Sequence, residues 1–193
     1  MTRATMTRDE KIDEMLAVHE ITQLLYTYCN AADRHDHVKM RSLYHPDAWD
    51  DHGSFFKGPA MEFIDRLPEI QAPMEILHHN MTSKNIVVKG DKAEGEIYMI
   101  AFHRFKLEDG PENQKNGSAD LLVGGRYFDN YERRDGTWKF TLRAAGADWA
   151  YYNAPSKTAM DHPMIAPTHI GKPGPEDPSY QFFEMMKFGQ KLK

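Results

Sequence analysis

Cysteine is nearly absent from this chain of 193 residues, because Cys29 is its only one. A single thiol excludes an intramolecular disulfide and any zinc site built from several cysteines, so we expect packing to hold the fold in a reducing compartment. No apolar run approaches the roughly 18 residues that a membrane-spanning helix needs. The polar stretch 1–11 also has no apolar signal-peptide core. We therefore expect a cytoplasmic protein with one hydrophobic core and no membrane partner.

Positive charge is not in excess either, whereas histidine is abundant. The chain has 24 Lys and Arg against 29 Asp and Glu, a formal net charge of −5. It lacks the basic stripe that binding to a phosphate backbone requires, so we expect no nucleic-acid partner. Its ten histidines are the side chains that exchange protons most readily near neutral pH. They are the first indication of function.

The N-terminal third has the pattern of helices. Thr7 and Glu10 have the spacing of a capping box, and apolar residues at helical spacing follow it as far as Tyr28. A helix is expected to end before Pro46, and another before Pro68, because the residue preceding proline disfavours the helical region. The predicted elements are helices at 8–32, 37–43 and 60–67 and a first strand at 48–53.

From residue 75 onward the apolar residues alternate, which is typical of strands. Gly and Asp residues at 89–92 and 134–137 favour tight hairpin turns, and the polar stretch 107–118 is predicted to be an exposed loop. Helices followed by an antiparallel meander predict an α+β domain with the helices on one face of the sheet. The candidate strands are 76–88, 94–106, 119–133 and 137–149.

The last forty residues differ from the rest in composition. Six of the eleven prolines lie between Pro155 and Pro178, which predicts a domain over 1–152 and an extended Pro-rich arm over 153–193. The arm ends in a predicted short apolar helix that should dock either over the mouth of its own pocket, as a lid, or on a neighbouring subunit. Its large apolar residues are Tyr180, Phe182, Phe183, Met185, Met186 and Phe188.

A helix-end carboxylate facing a histidine on a sheet makes a general base without a cofactor. Asp33, at the end of the first predicted helix, and His79, on the first long strand, are the candidates. Tyr28 is five positions before Asp33 and is placed to border the same pocket. The alternatives are a solvated helix-end Asp33 and an ordinary core histidine. Alternation turns one of His78 and His79 inward without choosing between them.

Several short motifs resemble the SnoaL-like branch of the nuclear-transport-factor-2-like superfamily. They are YTYCNAADRHD at 26–36, YHPDA at 44–48, DHG at 51–53, GP at 58–59, LLVGGRY at 121–127 and YERRDGTWKF at 131–140. The resemblance covers roughly residues 10–150. It implies a cone in which a curved, mostly antiparallel sheet wraps around the N-terminal helices and leaves a deep pocket. Several family members are cofactor-free lyases, among them dehydratases and dehydrochlorinases.

The resemblance also implies roles for single residues. Asp33 and His79 match the aspartate and histidine that form the base in those enzymes, with His79 chosen over His78 by the family's strand register. Tyr28 matches a tyrosine that helps to polarise a leaving group or a carbonyl. His103 resembles a second histidine of the dehydratases. These four residues are the predicted catalytic set.

Three further residues are candidates for binding substrate. His52 stands where a dehydratase of the family carries a pocket tyrosine, and Asp50 alternates with His52 and is placed to share its face. Arg126 has the reach to bind an anionic or carbonyl oxygen. The alternatives are a solvated strand-end carboxylate for Asp50 and an outward salt bridge for Arg126.

The predicted function is that of a cofactor-independent lyase acting on a hydrophobic, hydroxylated ring compound. The sequence does not separate dehydration from a related elimination, a deformylation or an isomerisation. A non-catalytic ligand-binding or assembly subunit is the alternative, since the fold does not imply the function. A metal site built from His35, His37, His45 or His52 with Asp50 or Asp51 is the third hypothesis, but its spacing matches no established ligand motif, so no metal or cofactor is predicted. Family members are commonly homodimers or homotrimers, and the same is expected here.

Overall fold

The computed structural model describes residues 6–107 and 117–192. Most of the loop predicted at 107–118 therefore lies outside the described residues. No helix within these ranges is both long and apolar enough to cross a membrane. The elements are α1 (Arg8–Asp33), α2 (His37–Ser42), β1 (Tyr44–Asp51), β2 (Lys57–Pro59), α3 (Ala60–Gln71), β3 (Met74–Lys89), β4 (Lys92–Lys106), β5 (Ser118–Arg134), β6 (Thr137–Asn153) and a single 3-10 turn (Pro178–Gln181).

The six strands form one mixed sheet in the order β2-β1-β6-β5-β4-β3. Strands β3 to β6 are an antiparallel meander, and β1 joins it by pairing in parallel with β6. The four meander strands are 15 to 17 residues long, and strands of this length twist and curve. The helices pack on the concave face, so the predicted α+β cone is confirmed.

Helix α1 fills the inside of the cone because one of its faces is apolar. Ile21, Leu24, Leu25 and Tyr28 recur at the i, i+3, i+4 and i+7 positions and are buried. The capping box predicted for Thr7 and Glu10 is present, since the hydroxyl of Thr7 accepts from the Glu10 backbone N–H and the Glu10 carboxylate accepts from the Thr7 N–H. The helix begins and ends within one residue of its predicted bounds, and its last residue, Asp33, lies beside β3.

Four elements depart from the sequence prediction: β2 was not predicted, β6 runs four residues past its predicted end, and α3 and β1 have other bounds. Helix α3 runs through Pro68 to Gln71, because a proline near the last turn removes only one helical hydrogen bond while Phe63, Ile64 and Leu67 remain buried in the core. Strand β1 begins at Tyr44 rather than at residue 48, since its start pairs with β6.

The arm crosses its own protomer at the C-terminal end of α1. The Asp120 carboxylate accepts hydrogen bonds from the Ser156 hydroxyl at 2.6 Å and the Thr158 hydroxyl at 2.9 Å. Farther along, Asp177 pairs with Arg34 at 2.7 Å, and the Gly189 N–H donates to Asp36 at 2.7 Å. The arm therefore follows the face of the domain on which Asp33 lies.

The apolar helix predicted for the end of the arm does not form. Only Pro178–Gln181 makes a 3-10 turn, because a helix this short is unstable unless a neighbouring surface covers its apolar side. Phe182, Met185 and Met186 remain exposed on this protomer, with Met185 at 87%. These three side chains therefore do not dock on their own protomer, and their docking on a neighbouring subunit stays a prediction.

Candidate active site

A cavity of about 220 Å³ lies between α1, α3 and the concave face of the sheet. Most of its wall is apolar, and its polar side chains are Tyr28, His52, Gln71, His79, His103 and Tyr127. Small-molecule sites typically combine apolar walls with a few convergent polar groups. The apolar wall includes Phe63, Leu67, Met74, Met99 and Val123.

Asp33 and His79 meet at the wall of this cavity. The imidazole Nδ1 of His79 lies 2.6 Å from Oδ1 of Asp33, and the backbone N–H of His79 donates to both carboxylate oxygens at 3.0 and 3.1 Å. Both side chains are about one-tenth exposed. When the carboxylate holds a proton on Nδ1, Nε2 is left as the basic nitrogen. His78 is exposed on the other side of β3, so of the two histidines His79 is the one that meets Asp33.

Tyr28 and His103 flank the His79 ring. Their ring centroids lie 6.4 and 5.6 Å from that of His79, both in edge-on geometry. Burial raises the pKa of Tyr28 to about 12 despite the nearby Arg143, so its phenol keeps its proton. Burial and the adjacent His79 lower the pKa of His103 to about 4, so its imidazole is neutral at neutral pH. Both side chains can therefore form hydrogen bonds with a bound oxygen while remaining uncharged.

His52 and Asp50 form a second carboxylate–imidazole pair. Nδ1 of His52 lies 2.5 Å from Oδ1 of Asp50, and the Tyr44 hydroxyl donates to the other carboxylate oxygen at 3.3 Å. The His52 ring lines the cavity and stacks on Phe63 with centroids 4.7 Å apart. Asp50 is fully buried behind His52, which corrects both earlier readings of Asp50, as a solvated carboxylate and as a direct substrate contact.

Arg126 is not brought to the cavity. Alternation along β5 turns Tyr127 inward and therefore Arg126 outward. On the outer face its guanidinium binds Glu96 at 2.7 Å and Asp148 at 2.8 Å. The predicted substrate contact of Arg126 is corrected accordingly, and the alternative outward salt bridge is the one observed.

The sequence interpretation missed a buried ion pair behind Tyr28. Nε and Nη2 of Arg143 donate to the two carboxylate oxygens of Asp129 at 2.9 and 2.7 Å, and neither side chain is exposed. The Arg143 guanidinium also lies 4.1 Å from the centroid of the Tyr28 ring and equally close to that of Tyr127. This contact holds Tyr28 in place beside His79.

A β-bulge explains why the pattern did not reveal Arg143. Strand β6 faces inward at Trp138 and Phe140, and strict alternation would continue to Leu142. The register shifts between Asn130 and Tyr131 of β5, so that Thr141 is an extra residue in β6. Arg143 rather than Leu142 then points inward. A charged residue so near this aromatic run was the only signal available in the sequence.

Among residues 6–107 and 117–192, no group of three or more His, Cys, Asp and Glu side chains is placed to hold a metal ion. Two histidines of the metal hypothesis have partners outside the hypothesised ligand set. Nε2 of His37 lies 2.8 Å from the Gln71 amide oxygen, and Nε2 of His45 lies 2.9 Å from the Glu132 carbonyl oxygen. The metal hypothesis thus finds no ligand set in the described part of the chain.

The sequence of the cone identifies its family. Residues 13–144 match the SnoaL-like domain. This chain belongs to the SnoaL-like family. It is 26% identical over 140 residues to the γ-hexachlorocyclohexane dehydrochlorinase of Sphingobium indicum, a match that covers 69% of this chain and 82% of the relative. The family match includes Asp33, His79 and His103 and ends before the arm.

Solved structures show the same SnoaL-like, nuclear-transport-factor-2-like fold. The hexachlorocyclohexane dehydrochlorinase of Novosphingobium barchaimii superposes with a TM-score of 0.65 at 18% identity, covering 77% of this chain and 97% of that one. A scytalone dehydratase-like protein from Novosphingobium aromaticivorans superposes with a TM-score of 0.61 at 19% identity, covering 71% and 87%. Both likenesses support the cone architecture derived above.

Proposed function

We propose that this SnoaL-like protein is a cofactor-independent lyase that eliminates water, or another small leaving group, from a hydrophobic hydroxylated ring compound. The observation that carries the proposal is the Asp33–His79 pair at the wall of an apolar cavity. A carboxylate-oriented imidazole is a general base, and an apolar wall favours a carbon framework over a sugar or a nucleotide. The relatedness to a dehydrochlorinase supports lyase-type chemistry.

The proposed reaction begins with proton transfer to His79. Its Nε2 removes a proton from the carbon next to the one that bears the leaving group, and the C–H electron pair becomes the new C=C bond. Asp33 keeps the ring in position and stabilises the positive charge that the ring acquires. Tyr28 and His103 donate hydrogen bonds to substrate oxygens from neutral groups. The leaving group departs with its bonding electron pair.

The size of the cavity limits the substrate. A cavity of roughly 150 Å³ holds a benzene molecule, so about 220 Å³ suits a compound of one or two rings. A hydroxyl or carbonyl group on that ring is matched by Tyr28 and His103. A β-hydroxy-tetralone, which loses water to give an aromatic product, and γ-hexachlorocyclohexane, which loses HCl, are therefore suitable probes.

The test replaces each member of the pair. Asp33→Asn and His79→Ala should each lower kcat by at least about 100-fold, the low end for loss of an acid–base group. The double variant should be little worse than either single variant, because residues that act as one unit are not additive. Absorbance of the aromatic product and release of chloride measure turnover of the two probes.

His78→Ala is the matched control, since His78 is the neighbouring histidine on the opposite face of β3. It should retain wild-type turnover. Near-normal turnover by a folded Asp33→Asn protein would contradict the proposal. Tight binding of the probes without turnover by the wild type would instead favour the ligand-binding alternative, and recovery of a shifted double bond without loss of a group would favour an isomerase.

A further inference from the structure

The cavity contains a second imidazole that is held by a carboxylate in the same way as His79. Nδ1 of His52 faces Asp50 at 2.5 Å, so Nε2 is the ring nitrogen left for a molecule in the cavity. Phe63 stacks on the flat face of the ring and restricts its rotation. The backbone N–H of His52 also donates to the Phe56 carbonyl at 2.7 Å. The position of the ring is therefore fixed by three separate contacts.

The carboxylate behind His52 is built into the core. Asp50 is fully buried, and burying a carboxylate is costly unless hydrogen-bond donors satisfy it. Its partners are the His52 imidazole and, at a longer 3.3 Å, the Tyr44 hydroxyl. A buried carboxylate of this kind holds the imidazole with Nδ1–H toward itself and Nε2 toward the cavity. A ring held in this way can donate a proton from Nε2 when it carries one there, just as Nε2 of His79 can accept one.

The two imidazoles approach the cavity from different walls. His79 lies on β3, at one end of the sheet, and His52 directly follows β1, which is separated from β3 by β6, β5 and β4. Both line the same cavity because the curved sheet brings its two ends toward each other. A substrate between these walls can lose a proton on one side and receive one on the other.

The other titratable side chains that line the cavity beside His79 are poorer proton donors, and among them burial raises the pKa of Tyr127 well above its usual value. The pKa of Tyr28 is raised to about 12 by burial, so its phenol gives up a proton reluctantly. The pKa of His103 is lowered to about 4 by burial and by His79, so it carries no ionisable imidazolium proton at neutral pH. Neither ring has a carboxylate within hydrogen-bond distance among the contacts found in the described residues. His52 does.

We propose that His52, positioned by Asp50, protonates the leaving hydroxyl group while His79 removes the proton from carbon. The inference rests on the proposed lyase function and assigns the second half of that reaction. In the step, His79 Nε2 takes the carbon-bound proton, the C–H pair forms the C=C bond, and the C–O bond breaks with its electrons on oxygen. The His52 proton converts that oxygen to water. The base ends protonated and the acid neutral, and exchange with solvent restores both.

The test uses the fact that leaving groups differ in their need for a proton. Hydroxide is a poor leaving group, whereas acetate departs as a stable anion. The probes are therefore a β-hydroxy-tetralone and its β-acetoxy derivative. Both carry the same acidic C–H bond next to the ketone, and both yield the same aromatic product. For His52→Gln we expect kcat for loss of water to fall about 100-fold or more, as for removal of a general acid, with little change in loss of acetate.

Asp50→Asn tests the positioning role. It should show the same selective loss for the hydroxy substrate in smaller degree, because His52 remains but no longer faces a charge. A role in folding alone would lower turnover of both probes equally. Thermal unfolding of both variants checks the fold, and His52→Gln, which keeps a side-chain amide opposite Asp50, provides the result even if Asp50→Asn unfolds.

His79→Ala separates the failure of this inference from the failure of the proposed function. It should lower turnover of both probes, because both need the carbon-bound proton removed. Equal effects of His52→Gln on the two probes, or none on either, would overturn the proton-donor role and leave the lyase function standing. Retained turnover by His79→Ala, or no turnover of either probe by the wild type, would overturn both proposals.

Discussion

Single side chains in the cavity owe their chemistry to burial. His103 lies on β4 beside His79, and its Nδ1 is buried without a hydrogen-bond partner among the described residues. Desolvation disfavours the charged imidazole and lowers its pKa to about 4. The same ring in the unfolded chain titrates near its usual value of about 6.5. Between about pH 4 and pH 6.5, the folded protein therefore binds fewer protons at His103 than the unfolded chain does.

This difference predicts how stability depends on pH. As the pH falls from about 6.5 to 4, the unfolded chain binds a proton at His103 and the folded state does not. The free energy of unfolding therefore decreases. His103→Gln should remove this contribution and flatten that part of the curve. Urea denaturation at pH 7 and at pH 5 measures the effect.

The exposed His78 provides the control for this measurement. His78→Gln should leave the pH dependence of the wild type unchanged. His35, whose pKa is also lowered to about 4 by burial, contributes in the same direction, so part of the slope should survive in His103→Gln. An identical slope in the wild type and His103→Gln would contradict the prediction.

The residues of the site were predictable to different degrees. Asp33 was placed by the end of an apolar helical stripe, and His79 by the strand register of a similar family. Arg143 was not found, because the bulge at Thr141 reverses the alternation on which such a prediction depends. Asp129 was overlooked although it alternates regularly with the buried Tyr127 and Tyr131. Arg126 was assigned to the substrate although the alternation with Tyr127 already turned it outward.

At the level of elements, two glycines allow β5 and β6 to approach each other at a bulge. The register shifts between Gly124 and Gly125. A Cβ on Gly125 would overlap the carbonyl oxygen of Gly146 on β6, whereas a Cβ on Gly124 would meet the indole of Trp149. Backbone cannot move aside without separating the strands, but the indole is half-exposed and can rotate.

Gly125→Ala should therefore cost more stability than Gly124→Ala. We expect a loss of about 1–3 kcal/mol for Gly125→Ala, the usual range for overpacking, and a smaller loss for Gly124→Ala. Equilibrium urea denaturation of the two variants gives the comparison. Equal losses, or a larger loss for Gly124→Ala, would show that the bulge yields more easily than its geometry indicates.

At the level of the whole molecule, the arm lies next to Asp33. Residues Met160 and Gly171 of the arm line a second depression of about 510 Å³ together with Asp33 and His35. The hydrogen bonds of the arm to Arg34, Asp36 and Asp120 lie within its own chain. No residue of the arm lines the 220 Å³ cavity itself, so these contacts support a lid over Asp33 rather than over that cavity. Such a lid would exclude water from the carboxylate side of the proposed base.

Truncation after Asn153 tests this role. The shortened protein should keep its oligomeric state but lose affinity for substrate and turnover, because Asp33 is then open to solvent on one side. Light scattering measures the oligomeric state. The KM and kcat for the β-hydroxy-tetralone measure substrate affinity and turnover. Dissociation of the oligomer ahead of any loss of activity would assign the arm to assembly, and no change in assembly, stability or kinetics would refute both roles.

Assembly itself stays a prediction. The outer face of the sheet exposes several aromatic side chains, including Tyr98, Phe128 and Trp149. Exposed apolar patches commonly mark contact surfaces, which supports the expected homodimer or homotrimer. The exposed Phe182 and Met185 of the arm add to the apolar surface that a second copy would cover.

The sequence by itself determined the elements, because apolar periodicity and turn residues act over a few positions and survive without tertiary context. It therefore predicted the long helix, the four-stranded meander, the α+β class and the helix-end position of Asp33. Tertiary structure decided the course of the arm, the inward turn of Arg143 and the meeting of Asp50 and His52 with the Asp33–His79 cavity. These features depend on bulges, on the curvature of the sheet and on contacts between residues far apart in the chain, and none of these leaves a local pattern.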